Sequence, residues 1–300
     1  MMVKNGHVAR RRIPEVAFAA PVGTPATIEV MSLADLRTRI DGRHPGQPQR
    51  PAFHHLLALT GGSLRHIVDF TDYALTPGMW LWLRPGQVHQ WGDLTQAEGT
   101  LILFEPDFPD PATADIARLD DVHTSPVWTA TGEDLRALTA ATDHLRHEFN
   151  ALGRLPLEAH IAVLRHLLAV LLLRLTHLTS PAGALAPETE ETYLRFRDAV
   201  ERGFPHSHKV EDYARALGYS PRTLSRATLA TAGIGAKEFI DRRIILEAKR
   251  LLAHGDQPAA HIAAQLGFSS PTNFSKYFHH RTGTTPVTFR TAIRRPAPER

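Results

Sequence analysis

His261–Arg290 reads HIAAQLGFSSPTNFSKYFHHRTGTTPVTFR. Ile262, Ala263 and Leu266 recur at helical spacing, then Gly267 interrupts and Phe268 follows. A glycine suits a tight inter-helical turn, because it alone takes positive φ without steric cost. Ser269 or Ser270 can cap the next helix, and Pro271 suits its first turn. That helix, expected at about Pro271–Arg281, buries Phe274 and Phe278 on one face. Its other face carries Thr272, Asn273, Ser275, Lys276 and His279, short polar groups and cations of the kind that read base edges and phosphates. The stretch reads as a helix-turn-helix.

The same pattern occurs once more upstream. Ala214-x-x-Leu217-Gly218-Tyr219 echoes Ala263-x-x-Leu266-Gly267-Phe268 at an offset of 49 residues, an internal duplication. Ser220 reads as an N-cap and Pro221 as the first helical residue, with Arg222, Thr223, Ser225 and Arg226 projecting away from Leu224 and Leu229. Arginine is the commonest specific reader of guanine, through a bidentate contact to O6 and N7. Between the two motifs, Ala236–Ala253 is expected to be one long helix of roughly 27 Å at about 1.5 Å per residue. That length would set two recognition helices about one DNA turn apart. Glu190–Phe204 is expected as an opening helix with Tyr193, Phe196 and Val200 inward.

Three segments, Ile262-Ala-x-x-Leu-Gly-Phe268, Phe274-x-x-x-Phe278 and Gly283-x-Thr-Pro-x-x-Phe-Arg290, together resemble the C-terminal signature of the AraC/XylS family of transcription regulators. Arg243-x-x-x-x-Ala-Lys-Arg-Leu-Leu252 matches the family's connecting helix, so the resemblance covers about Val210–Arg290. It implies an all-α domain with two helix-turn-helix motifs that binds double-stranded DNA. By analogy Arg222, Thr223, Ser225 and Arg226 would meet DNA from the first motif, and Pro271, Thr272, Asn273, Ser275 and Lys276 from the second. It further implies contact with RNA polymerase, an activator role, a small-molecule effector and a homodimer. One departure stands out: Thr228 occupies a position where the first recognition helix usually carries an aromatic, with Leu224 and Leu229 as candidates to compensate.

Charge supports the reading. Residues 188–300 hold 18 Lys/Arg against 12 Asp/Glu, whereas the preceding residues hold 16 against 19. The basic surplus lies with the duplicated motif, as a phosphate partner requires. His279 and His280 would add phosphate affinity only when protonated, so DNA binding is expected to strengthen in mild acid.

The first half reads differently. From Val16 to about Trp128, strand-length runs such as Phe53–Leu59, Leu64–Phe70, Met79–Leu83 and Leu101–Phe104 alternate with Gly and Pro turns, with no helix expected between them. Many short strands at this spacing predict a sandwich or small barrel. Gly78–His89 (GMWLWLRPGQVH) is similar to the cupin-type sensory domain of many AraC relatives. That likeness implies a cupin-like β-barrel at 16–128, with His66, Trp80, Trp82, His89 and Trp91 as candidate effector contacts. Trp80 and Trp82 share one strand face and Leu81 and Leu83 the other, and either pair could face the interior.

His54, His55, His66 and His89 raise an alternative, a metal-dependent cupin enzyme fused to a DNA-binding domain. Such a site needs about three ligands converging on one metal. Adjacent His54 and His55 point to opposite faces of a strand, and Asp69 and Asp72 substitute poorly for the customary Glu. No metal, cofactor or catalytic group is therefore expected. The chain has no cysteine, which excludes disulfides and thiolate sites and fits a cytoplasmic protein.

Gly132–Asn150 and Pro156–Leu178 are expected as helices of a dimerisation segment over 131–180. The second is very apolar, but Arg165, His166, Arg174 and His177 argue against a membrane span. Ser180–Pro187 reads as a linker, 188–295 as the DNA-binding domain and 1–15 as a loose arm.

Overall fold

The computed structural model describes residues 13–19, 27–40, 46–121, 124–178 and 187–293. The expected linker, except its last residue Pro187, and all but the end of the expected arm lie outside them. The chain divides into two compact units, one over 14–182 and the other over 183–300 together with the first 13 residues.

In the first unit the elements run β1 (Glu15–Val16), β2 (Ile28–Ser32), α1 (Leu33–Ile40), β3 (Arg50–Pro51), β4 (His54–Gly61), β5 (Leu64–Val68), β6 (Thr71–Leu75), β7 (Met79–Leu83), β8 (His89–Trp91), β9 (Glu98–Phe104), α2 (Pro111–Ile116), β10 (Val127–Thr129), α3 (Gly132–Asn150) and α4 (Leu157–His177). Five antiparallel strands form one sheet in the order β10-β7-β4-β9-β2, and β6-β5-β8 form a second. Glu15, expected in a loose arm, pairs in β1 with Arg50 of β3.

Alternation along β4, β7 and β9 divides the core in two. Leu57, Leu59, Leu81, Leu83, Leu101 and Leu103 face the three-stranded sheet and α1. Leu56, Ala58, Trp80, Trp82, Ile102 and Phe104 face α3 and α4. The central strands are thus buried on both sides, which is why they read as nearly continuous apolar runs. The leucine pair of β7, rather than the tryptophan pair, lies between the sheets.

Two expectations are corrected. Among the described residues no strand joins the edges of the larger sheet to β6 or β8, so the sheets stack face to face instead of closing as a barrel. Two helices also interrupt the β region. Ser32 and Asp35 start α1 reciprocally: Asp35 N donates to Ser32 Oγ at 3.0 Å and Ser32 N to the Asp35 carboxylate at 3.0 Å. Asp110 starts α2 by accepting from Thr113 N at 3.0 Å.

Helix α4 is long and apolar enough to cross a membrane by length and composition alone. Leu164, Leu168, Leu171, Leu172 and Leu175 are nevertheless fully buried against α3 and the sheet.

The second unit contains α5 (Pro187–Gly203), α6 (Val210–Leu217), α7 (Pro221–Ala232), α8 (Ala236–His254), α9 (Ala259–Gln265), α10 (Pro271–Thr282) and α11 (Pro286–Ile293). Tyr193, Phe196 and Val200 of α5 are buried, as their spacing predicts, and α5 begins three residues before the expected Glu190. They join Leu224, Phe239, Ile244, Ile262, Phe274 and Phe278 in one core.

Candidate nucleic-acid interface

Both recognition helices are built by the same local devices. Ser220 Oγ accepts from Thr223 N at 3.0 Å and Ser270 Oγ from Asn273 N at 3.2 Å, each followed by a proline at the first helical position. Each helix ends at a glycine in the left-handed region, Gly233 at φ 71° and Gly283 at φ 73°. The turns between paired helices differ by one residue: Tyr219 alone separates Gly218 from Ser220, whereas Phe268 and Ser269 separate Gly267 from Ser270. The extra Ser269 accepts from Asn273 Nδ2 at 2.9 Å.

The expected contact residues lie open. Arg222 and Arg226 on α7 are exposed, with Thr223 and Ser225 partly so; on α10 Pro271, Thr272, Asn273 and Lys276 are exposed and Ser275 partly. Leu224, Phe274 and Phe278 anchor the opposite faces.

Helix α8 fixes its neighbours through ion pairs that sequence reading missed. Arg243 is 8% exposed, donates through Nε to both Glu201 oxygens at 2.9 Å and through a terminal nitrogen to Glu247 at 3.0 Å, and stacks over Phe204 at 4.0 Å. Asp241, 1% exposed, accepts from Lys237, from Tyr277 Oη at 2.7 Å and from Arg281. Arg281 also donates to Glu238, whose carboxyl the Arg242 guanidinium holds below its usual range. Burial, with Asp241 beside it, pushes the Tyr277 phenol up, so it stays a neutral donor. Lys237–Asp241, Glu238–Arg242 and Arg243–Glu247 are each four residues apart on one helix, whereas Tyr277 and Arg281 lie about 40 residues from Asp241.

The five candidate effector residues of the first unit separate. Trp80 lines a cleft of about 470 Å³ beside α3. Trp82 lies deeper on the same face, where its Nε1 donates to His54 Nδ1 at 3.2 Å and Arg84 stacks on its ring at 4.7 Å. His66, His89 and Trp91 lie on β5 and β8, the second sheet, with His55 of β4 beside them. His66 Nε2 and His89 Nδ1 share a hydrogen bond of 3.1 Å, and Trp91 meets His66 edge-on. Burial lowers the affinity of all four histidines for a proton: His89 to about 4 against the opposing pull of Asp69, His54 to about 3 with Arg84 adding to it, and His55 and His66 well below the usual value. Among the described residues no group of three or more His, Asp or Glu is placed to hold a metal.

A sequence profile described as a helix-turn-helix domain matches residues 213–292, which span both recognition helices and α8. The C-terminal region is an AraC-type helix-turn-helix domain. The regulatory protein PocR of Salmonella typhimurium is 34% identical over 85 residues, covering 28% of this chain and 28% of PocR. An uncharacterized HTH-type transcriptional regulator of Staphylococcus aureus is 31% identical over 93 residues, covering 31% of this chain and 12% of that protein. This chain therefore spans well under half the length of these relatives. A solved AraC-type DNA-binding regulator from Chromobacterium violaceum is 20% identical, covering 37% of this chain and 100% of that one, with a TM-score of 0.33.

Within the AraC-type domain, one expectation about α7 changes. Leu229 is 58% exposed and cannot make good a missing aromatic at Thr228. Thr228 is itself fully buried and spends its hydroxyl on the Leu224 carbonyl at 2.7 Å, so Leu224 and Ala227 carry the inward face. The AraC-type domain also distinguishes its two turn glycines. Gly218 and Gly267 both have φ 74°, but a methyl at Gly218 meets nothing within 4 Å, whereas one at Gly267 would stand 2.3 Å from the Pro205 carbonyl oxygen. Gly218→Ala should cost about 1 kcal/mol, the left-handed penalty alone. Gly267→Ala should cost at least about twice that, because backbone must also move. Denaturant midpoints of the two variants check this; equal losses would show that the Pro205 contact does not matter.

Proposed function

We propose that this chain is a sequence-specific DNA-binding transcription regulator, an activator that contacts RNA polymerase and answers to a small-molecule effector held by its N-terminal unit. The observation that carries the reading is the pair of recognition helices, each capped at both ends, open along its polar face and anchored to one buried helix. The names of PocR and the staphylococcal relative agree with regulation rather than catalysis. In this reading residues 16–128 form a cupin-like sensor and 188–295 bind DNA in the cytoplasm. Residues 131–180 form a homodimer, supported by the exposed Val170 and the partly exposed Ile161, Leu167 and Leu173 of α4.

Docking both helices from one protomer predicts two major-groove blocks about 10 base pairs apart on one DNA face. Arg226→Ala should cost about 1–3 kcal/mol of DNA affinity and relax base preference in one block. Lys276→Ala should act on the other block, or weaken all sequences alike and reduce the salt slope by about 1 if it touches only phosphate. The two losses should be nearly additive. Footprinting with a base-substitution scan decides; both substitutions perturbing the same block would refute two-motif docking.

A further inference from the structure

Resting on the sensor reading above, we propose that the ligand site is not the space between the sheets but the cleft on the opposite face of the large sheet, and that it takes an organic amine with a flat apolar body. The register explains why a cleft is there. Trp80, Ala58, Thr100 and Ser32 are cross-strand neighbours on β7, β4, β9 and β2. One row deeper stand Trp82, Leu56, Ile102 and Val30, bulky enough to meet α3 and α4. In the outer row three small side chains follow Trp80, and α3 offers Thr139 and Thr142 above them, so sheet and helix cannot close. About 470 Å³ remains, within the usual range for a small-molecule site. The space between the sheets is instead packed by leucines, Trp91 and the buried histidines.

The polar groups of the cleft select the ligand. Thr139 and Thr142 donate to their own helix, at Leu135 and Leu138. Ser32 is committed to Asp35, Arg37 donates to the Leu94 and Ala97 carbonyls, and Arg146 pairs with Asp143 at 2.8 Å. Thr60 is exposed at the rim beyond Ala58, and two further lining groups remain, side by side on β9. Thr100 is 4% exposed, and its hydroxyl has no hydrogen-bond partner among the described residues. Glu98, two residues along the same strand face and exposed at the rim, has no cation partner among the described residues. Two residues along a strand is about 6.6 Å, so one ammonium lying between them can donate to both. Trp80 lies two strands from Thr100, about 9–10 Å away across Ala58. An aromatic ring laid over Ala58 reaches Trp80 while its amine stays with Thr100 and Glu98.

Tryptamine and its isosteric anion 3-indolepropionate are the probes, titrated against the full chain by ligand-observed NMR. Tryptamine should bind and indolepropionate should not. Glu98→Gln and Thr100→Val should each weaken tryptamine roughly tenfold, the worth of one charge-assisted hydrogen bond. Thr139→Phe, a change at an exposed helical position, should fill the mouth and abolish binding; Ala58→Leu should do so from the floor. Unfolding midpoints near wild type establish that each variant folds. Failure of tryptamine to bind the wild-type chain, or its retention by Thr139→Phe, overturns the site, and preference for indolepropionate overturns the amine. Any of these leaves the sensor reading intact, since that reading fails separately if no compound bound by the N-terminal unit changes DNA affinity.

Discussion

Acidification from pH 7 to pH 5 should unfold the N-terminal unit while sparing its C-terminal neighbour. His54, His55, His66 and His89 are at most 8% exposed, and burial depresses the proton affinity of each. Below about pH 6.5 the unfolded chain binds protons that the folded chain refuses, so stability is lost as pH falls. Each histidine contributes a slope of about 1.4 kcal/mol per pH unit, continuing to about pH 4 for His89 and about pH 3 for His54. Two of the four acting fully would remove about 4 kcal/mol between pH 7 and pH 5, and all four about 8 kcal/mol, the scale of a whole domain's stability. All 4 tryptophans lie between Trp80 and Trp128, so their fluorescence reports this unit alone. Urea titrations at half-unit pH steps give the slope, and His55→Phe should lower it by about 1.4 kcal/mol per unit. A stability that does not change between pH 7 and 5 would contradict the buried, neutral cluster.

Asp241→Ala should destabilise the C-terminal unit by about 2–4 kcal/mol. It removes the acceptor that Tyr277 Oη has among the described residues and leaves Lys237 and Arg281 without their shared anion. The partial exposure of Lys237 and Arg281 lets water recover part of the loss, which keeps it below the upper end for buried pairs. Asp241→Asn should lose less, since an amide oxygen still accepts from Tyr277. Because Tyr277 and Arg281 lie on α10, base discrimination in that helix's block should blur while the α7 block is unchanged. Denaturant melts and the base-substitution scan measure the two effects. An Asp241→Ala protein of wild-type stability would mean that the network is incidental.

How much was legible in the sequence follows from the range of each interaction. The helix-turn-helix was readable because its determinants are local: Ser-Pro starts, a glycine in each turn, and Phe274 and Phe278 four residues apart. Leu229 was misassigned inward because helical periodicity alone cannot say where the buried arc ends. Helix α1 was missed although Ser32 and Asp35 carry its start signal, since the surrounding strand pattern outweighed eight residues. The face on which Trp80 and Trp82 lie needed the sheet order, and Asp241's partners needed the approach of α8 and α10. Period-two alternation defines two faces without saying what covers either.

Helix α8 has a further consequence for the DNA it would meet. It spans Ala236–His254, roughly 28 Å at about 1.5 Å per residue, and eleven of its side chains are buried in the unit it crosses. A spacer held on that much of its surface can neither bend nor stretch. Tandem modules on a flexible tether tolerate promoters in which half-sites drift apart by a whole helical turn, because the tether follows. Here one inserted base pair would swing the second block by about 34° and a whole turn would carry it about 34 Å out of reach. Promoters serving this protein should therefore vary in the letters of the two blocks and never in the count of letters between them.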